Sequence, residues 1–390
     1  MRKFFGQDIW ILQQKQIKEE TNMKVPFTKY AQFYKKYAKE LRPAILNVLK
    51  SGRLILQQEG EDFERHMAEY LKVKHFLGVS DGTDALQIAL RAAGIGPGDE
   101  VITVSHTFVA TIQVIAHLGA TPILVDIGDD YLMDVEKIEA AITPKTKAII
   151  PVHLSGDVCN MARISEIAAE RNLIVIEDAA QALGAEWAGR KAGGFGLAGC
   201  FSFYPAKILG AFGDGGGIAT NDDRMAEEIK KLRNHYMIGK RPVSEEEVFK
   251  FGYNSRLDNV WAKVLDIKLT HLPEDIQIRK EIAQIYDQEL RGIQGLFLPS
   301  DHGGRIYQDY VIRTEKQREL VDFLARNGVG TLGIDLIPNH KHKGLGLEHF
   351  SLPKTEKYTY EFIRLPCNQF MNLREARYVA KMIRKFYAKI

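Results

Sequence analysis

The chain has 390 residues, of which 45% are hydrophobic and 26% charged, which excludes a disordered or fibrous protein and allows a large domain with a smaller one. Its 53 basic and 50 acidic residues leave a formal charge of +3, too balanced to argue for a nucleic-acid partner. The three cysteines, Cys159, Cys200 and Cys367, are odd in number and widely spaced, so they indicate neither a disulfide framework nor a zinc motif and read as reduced thiols of a cytoplasmic protein.

The N-terminus, Met1-Arg-Lys-Phe-Phe-Gly-Gln-Asp-Ile-Trp-Ile-Leu12, opens like the basic start of a leader, but Gln7 and Asp8 break its apolar run and residues 13–20 are polar. No small-residue cleavage site follows, so secretion is not expected. No stretch approaches the roughly 20 apolar residues of a membrane span, and no membrane partner is expected. Residues 1–24 read as an N-terminal extension, or, as far as Met23, as an upstream start.

Residues 76–80 predict a strand and the amphipathic run after Asp81 predicts a helix, with Gly82-Thr83-Asp84 at the junction. There the free N–H groups of a helix start and the Thr83 hydroxyl can face an anion. The alternative is an ordinary helix start capped by Asp81 or Thr83. Apolar runs over 101–104, 121–125 and 148–152 predict strands, and 134–142 and 162–171 predict helices. Asn172-Leu-Ile-Val-Ile-Glu-Asp178 reads as a buried parallel strand ending in two acids. Ligands of open α/β sheets bind beyond the carboxyl ends of strands, which aims Asp178 into such a site. Alternatively Asp178 caps a helix that starts at Ala179.

Phe201-Ser-Phe-Tyr-Pro-Ala-Lys207 precedes a Gly-rich run over 210–217. A lysine on a loop of Gly and Pro, just after a short apolar strand, can be held where its amine attacks a carbonyl. That makes Lys207 a candidate Schiff-base lysine, against the alternative of a solvated surface charge. Asp178 strengthens the case, because a carboxylate beside the pyridine nitrogen of pyridoxal 5′-phosphate (PLP) keeps that nitrogen protonated and the ring an electron sink. The mixed charges of 225–233 read as a solvated helix face. Residues 271–290 predict a long helix leading into a C-terminal α+β domain, which ends in a basic amphipathic helix over 373–388.

Strands alternating with helices predict an α/β fold with a mostly parallel central sheet and helices on both faces. The division expected is a PLP-binding large domain over 25–270, then a helix and smaller C-terminal domain over 271–390. A nicotinamide dehydrogenase is disfavoured, because no Gly-x-Gly-x-x-Gly turn follows a first strand and 213–217 lacks that spacing.

Six ordered segments carry a resemblance: Asp-Gly-Thr-Asp-Ala-Leu (81–86), Ser-His-Thr-Phe-Val-Ala-Thr (105–111), Glu-Asp-Ala-Ala-Gln-Ala (177–182), Ser-Phe-Tyr-Pro-Ala-Lys (202–207), Gly-Asp-Gly-Gly (213–216) and Gly-Tyr-Asn-Ser-Arg-Leu-Asp (252–258). From about Val25 to its end the chain resembles the DegT/DnrJ/StrS sugar aminotransferases, which are PLP enzymes of fold type I. The resemblance implies an aspartate-aminotransferase-like large domain and Lys207 as the residue that joins the cofactor. Asp178 falls at the pyridine nitrogen, Gln181 near the ring 3-hydroxyl, and Phe108 against the ring face, where an aromatic stack restrains its plane. Gly82, Thr83, Asp84 through its backbone, and Ser202 hold the phosphate. Asn254, with Arg256 beside it, matches a residue that reaches the phosphate in the neighbouring subunit, which implies a homodimer with shared active sites. No metal is implied.

The reaction implied moves an amino group from glutamate or glutamine to the keto group of a nucleotide-linked keto-deoxysugar. Lysine rather than histidine at 207 favours this over the dehydratases of the family. Alternatives are a cyclitol or aminohydroxybenzoate-type acceptor, or a PLP-fold regulator without turnover. Two segments depart from the family pattern. Residues 333–342 contain His340 and His342, neither assigned to the site, and Tyr307-Gln-Asp-Tyr310 stands where many relatives carry a histidine, which implies different contacts to the substrate.

Overall fold

A computed structural model of the chain describes residues 24–238, 241–242, 251–300, 303–333 and 336–389. All but the last residue of the expected N-terminal extension lies outside these, as do Ile334 and Asp335 of the divergent segment.

The centre is a seven-stranded sheet of β1 (His75–Val79), β2 (Glu100–Val104), β3 (Thr121–Val125), β4 (Thr146–Ile149), β5 (Ile174–Asp178), β6 (Ala198–Ser202) and β7 (Gly216–Thr220). Their order is β1-β7-β6-β5-β4-β2-β3, and only β7 runs against its neighbours. Side chains alternate between two cores as the pleat requires. Leu77, Val101, Ala148, Ile176 and Cys200 pack on one face with helices α3 (Gly82–Ala92), α4 (Ala110–His117) and α6 (Asp223–Leu232). Phe76, Ile102, Ile149, Val175 and Phe201 pack on the other with α2 (Gln58–Leu71), α5 (Met161–Arg171) and the first half of α7 (Asn259–Leu290), and α1 (Tyr30–Ser51) packs Tyr37 and Leu41 against Val264 of α7.

Helix boundaries follow local capping. The Asn160 side chain accepts from the Arg163 amide and so starts α5, and Asp222 starts α6 through the Met225 amide. The strand expected over 148–152 instead covers Thr146–Ile149, since Pro151 has no amide to donate. The helix expected over 134–142 is a three-residue 3-10 turn, Val135–Lys137, followed by Ile138–Ala141.

The largest difference is α7, which begins at Asn259 and not at 271. Pro273 lies inside it, and Asp266 and Lys268 interrupt the apolar stripe of its first half although both are buried. Beyond Arg279, Ile282, Ala283, Tyr286 and Leu290 enter a second core, shared with the antiparallel pair β8 (Tyr310–Arg313) and β9 (Phe362–Leu365) and with α8 (Gln317–Arg326) and α9 (Leu373–Tyr387). The opening of α9 is a capping box formed by Asn372 and Glu375.

Lys268 is 1% exposed. Its Nζ donates to the Gly210 carbonyl and lies 5.6, 5.7 and 5.8 Å from the ring centres of Phe33, Tyr37 and Phe212. Burial pushes its pKa down from 10.5 to about 8, against an opposing pull from Asp275. Because folding favours the neutral amine, the unfolded chain binds more protons between these values and stability rises with pH across that window. The contribution is complete above the unfolded value and is lost as pH falls through about 8. Chemical denaturation at pH 8 and pH 9.5 is expected to show this rise in the native chain and a flatter response in Lys268→Met; equal slopes would refute the assignment.

Candidate active site

Strands β1, β2, β5 and β6 all run in one direction, so the residues that follow them gather at one edge of the sheet. Asp81-Gly82-Thr83 follows β1, the Ser105–Phe108 turn follows β2, Asp178 closes β5, and Ser202 closes β6 ahead of the Lys207 loop.

At the first of these ends Asp81 is the N-cap of α3: its carboxylate accepts from the Asp84 amide at 2.8 Å and its carbonyl from the Ala85 amide at 3.1 Å. The Asp84 amide is therefore committed to the cap. The amides of Gly82 and Thr83, in the same first turn, are left as the helix-start donors. The Asp84 carboxylate turns back to the Ser80 hydroxyl, 2.7 Å away. Gly82 sits against Ser202, since a Cβ built on it would fall 2.7 Å from the Ser202 Cβ. Two segments 120 positions apart thus form one concave end, and only glycine leaves it open.

Asp178 is buried at 6% exposure. One carboxylate oxygen accepts from the Thr111 hydroxyl at 2.8 Å and the other from the Ala180 amide at 3.1 Å. The helix considered from Ala179 does not form; residues 180–181 and 183–184 are turns, so Asp178 caps a turn and faces Thr111 at once. Thr111 also pairs with the Thr107 hydroxyl at 2.8 Å, and its amide donates to the Phe108 carbonyl. Phe108 projects from this turn at 69% exposure. Gln181 accepts through Oε1 from the Ser155 amide at 3.0 Å, and Ser155 has a left-handed φ of 54°.

The divergent segment resolves in part. His340, fully buried, pairs through Nδ1 with the Ser105 hydroxyl at 2.8 Å and through Nε2 with Glu356 at 3.1 Å. The Asn339 amide donates to the Ser105 and Thr107 carbonyls. Together they pin the turn that bears Phe108, whereas His342 is exposed.

Lys207 is mostly buried and its amide donates to the Tyr204 carbonyl at 2.8 Å. Burial pushes the Lys207 amine below the ordinary lysine range; the charges of Asp178 and Asp309 oppose this, and Arg364 adds to it. Asp178 and Lys207, 29 positions apart, are thereby within electrostatic reach of each other. Beside them His106, Ser155, Arg305 and Arg364 line a small cavity with Tyr131 and Phe362. The His106 pKa is pushed down to about 3 by burial and then by Arg364, so its ring is neutral at physiological pH. Among the described residues the Ser155 Oγ and the Arg305 Nε have no hydrogen-bond partner.

Asn254 is exposed and not gathered into this cluster. It bridges to Asn234, while its neighbour Ser255 lies 3.1 Å from both the amide and the hydroxyl of Ser80. Arg256 donates to the Asn234 side chain. Thr111, Asn339 and His340 were not foreseen as site residues. Thr111 lay within a recognised segment; the other two reach the 105–107 turn across more than 230 positions, with no local signature.

A desolvated lysine, a carboxylate at the end of a buried strand and an open helix start that shares a concave edge with Ser202 define a PLP-dependent enzyme of the α/β class, and these residues fit that cofactor. The chain belongs to the DegT/DnrJ/EryC1/StrS aminotransferase family, whose model matches residues 35–384. It is 40% identical over 373 residues to the pleiotropic regulatory protein of Geobacillus stearothermophilus, covering 94% of this chain and 99% of that one. It is 41% identical over 347 residues to the dTDP-3-amino-3,4,6-trideoxy-alpha-D-glucose transaminase of Micromonospora megalomicea subsp. nigra, covering 85% and 91%. Among solved structures it resembles S. venezuelae DesV in complex with ketimine intermediate, with a TM-score of 0.90, 38% identity and coverage of 94% and 99%. It also resembles NtdA from Bacillus subtilis with bound cofactor PMP, with a TM-score of 0.87, 29% identity and coverage of 94% and 86%. The protein is an aminotransferase and its cofactor is PLP.

Gly82→Ala is expected to fill the edge next to Ser202 and to weaken retention of PLP at least about tenfold, the scale of one disrupted charge-assisted hydrogen bond. Dialysis followed by cofactor absorbance measures this; full retention would show that no phosphate sits there.

Proposed function

We propose that this enzyme moves an amino group from glutamate to the keto group of a nucleotide-linked keto-deoxysugar. The placement of a desolvated Lys207 within electrostatic reach of the buried Asp178, at one edge of the sheet, carries the reading. The likeness to a dTDP-aminodeoxysugar transaminase over most of both chains supports the acceptor class. The relative described as a pleiotropic regulatory protein favours a second reading, a regulator without turnover. A solvated lysine would suffice for that role.

In the proposed site the Gly82 and Thr83 amides and the Ser202 hydroxyl would hold the phosphate, Phe108 would cover the ring and Gln181 would face its 3-hydroxyl. Bound PLP supplies an electron sink for the bonds broken at the amino-bearing carbon. The Thr111 hydroxyl and the Ala180 amide hold the Asp178 carboxylate, which would meet the ring nitrogen. The Lys207 Nζ, whose pKa burial lowers from the ordinary lysine range, would take the proton from the donor α-carbon and keep it within the site for return. Residues 25–270 are assigned to the cofactor domain and 271–390 to the small domain; a core of its own around β8, β9, α8 and α9 supports this, while Ile306, Val311, Tyr358 and Phe362 pack with the sheet core and α7 runs through the boundary. The exposed Asn254 completes the site of a second copy in a homodimer. A cytoplasmic setting is supported by three buried free cysteines; no described helix is long and apolar enough to cross a membrane.

Near-ultraviolet and visible spectra of the purified protein with PLP, before and after glutamate, test the chemistry. A cofactor band that changes on adding glutamate is expected in the native enzyme and not in Lys207→Ala, which should fold and be inactive; turnover by that variant would overturn the reading. Asp178→Asn is expected to lower kcat by about 100-fold or more, the scale of losing one preorganised electrostatic partner.

Mixing tests the shared site. In a heterodimer of Lys207→Ala and Asn254→Ala chains, one of the two sites keeps both native residues. Random pairing should therefore restore about a quarter of native activity from two impaired parents. No gain on mixing, with exchange of subunits demonstrated, would place Asn254 outside the partner's site.

A further inference from the structure

The segment around Gln308 was expected to contact substrate, but Gln308 is 8% exposed and faces the loop that carries Lys207. Its Oε1 accepts from the Ile208 amide and its Nε2 donates to the Ala206 carbonyl, both at 3.0 Å. A single carboxamide therefore binds the peptide groups on both sides of Lys207. No other side chain of the described residues bonds to either group.

Gln308 is itself held. Gln369 donates to the Ile208 carbonyl at 3.1 Å. Its Oε1 accepts from the Arg279 Nε and Nη2 at 3.1 and 2.7 Å. Arg279, 3% exposed, gives its Nη1 to the carbonyls of Tyr307, Gln308 and Cys367 at 3.0, 2.8 and 2.9 Å. The loop is thus tied to the strand pair β8–β9 and to α7, and Lys268 of α7 takes the Gly210 carbonyl three residues further on.

A lysine side chain is a flexible four-carbon stem, and the position of its amine is only as well defined as the backbone from which it starts. Reacting groups misplaced by about 1 Å can cost 100-fold in rate. We infer that Gln308 is a positioning residue for Lys207: its carboxamide locks the 206–208 backbone and so sets where the Lys207 amine reaches. This rests on the reading of Lys207 as the cofactor lysine. Gln308 touches no reacting atom and acts only through the backbone.

The test uses the full-length enzyme with and without PLP, in the variants Gln308→Met, which keeps length and loses both bonds, and Gln308→Glu, which keeps an acceptor for Ile208 and loses the donor to Ala206. Hydrogen exchange at the Ile208 amide should speed about tenfold in Gln308→Met, as expected for one lost hydrogen bond, while amides of α3 and α8 stay unchanged. In the same variant kcat should fall about 10- to 100-fold with KM for both substrates nearly unchanged. Gln308→Glu should lie between Gln308→Met and the native enzyme in both readings.

Unchanged Ile208 exchange together with unchanged kcat in Gln308→Met would overturn the proposal. A general rise in exchange over α3 and α8 would also overturn it, by showing a purely structural role. If Gln308→Met does not fold, Gln308→Glu decides by the same two readings. Borohydride reduction with mass spectrometry of the native enzyme separates the two levels: cofactor found on a residue other than Lys207 defeats the reading of the site, while Ile208 exchange still reports on the clamp.

Discussion

Two buried ionisable groups with opposite requirements have to share one strand edge. In the mechanism proposed above Asp178 keeps a carboxylate where water is scarce, and Lys207 presents an uncharged amine a short way off. The protein meets the first need with donors, since the Thr111 hydroxyl and the Ala180 amide satisfy both oxygens of Asp178. Burial shifts the Lys207 pKa toward the second, with Arg364 repelling a lysine cation while Asp178 and Asp309 attract one. The balance depends on position, because a lysine swung into solvent would recover its ordinary pKa and lose its use as a base.

That positional demand accounts for much of what surrounds the site. The turn bearing Phe108 and Thr111 is pinned by Asn339 and His340, and the Lys207 loop by Gln308, Gln369 and Lys268. All of these lie on α7 or after it, whereas the groups they hold follow strands of the central sheet. Helix α7 buries Leu265, Leu269 and Leu272 in one core and Ile282, Ala283 and Tyr286 in the other. A single rigid rod therefore fixes the frame from which the far segments reach back, and Arg279 stands where one half gives way to the other.

The parts legible in the sequence are those whose cause is local. Parallel strands showed as apolar runs, and Asp178 as the acid that closes one. The helix start at Gly82 was visible because Asp81 and Thr83 are good caps, although which of them served was left open and Asp81 proved to be the one. What stayed hidden arises from contacts between distant segments. His340 could not be told from a surface histidine until the partner at Ser105, 235 positions away, was seen. Gln308 looked like a departure on the substrate side because a sequence does not say which way a side chain faces. The start of α7 was missed because Asp266 and Lys268 interrupt its apolar stripe, and only the fold shows both buried, Lys268 on Gly210 and Asp266 on His66.

The same reasoning bears on the relative described as a regulatory protein. A protein that used this fold only to bind a partner would gain nothing from a lysine kept desolvated, since burying a potential cation costs free energy that a surface contact does not return. Nor would it need a carboxamide spent on the two peptides flanking that lysine, or a guanidinium buried against carbonyls to support it. Such costs persist where a specific amine must be neutral and in place, which is the requirement of transamination. Within this family, then, a regulatory effect of a chain built like this one is more economically a consequence of the product it makes than of a surface it presents.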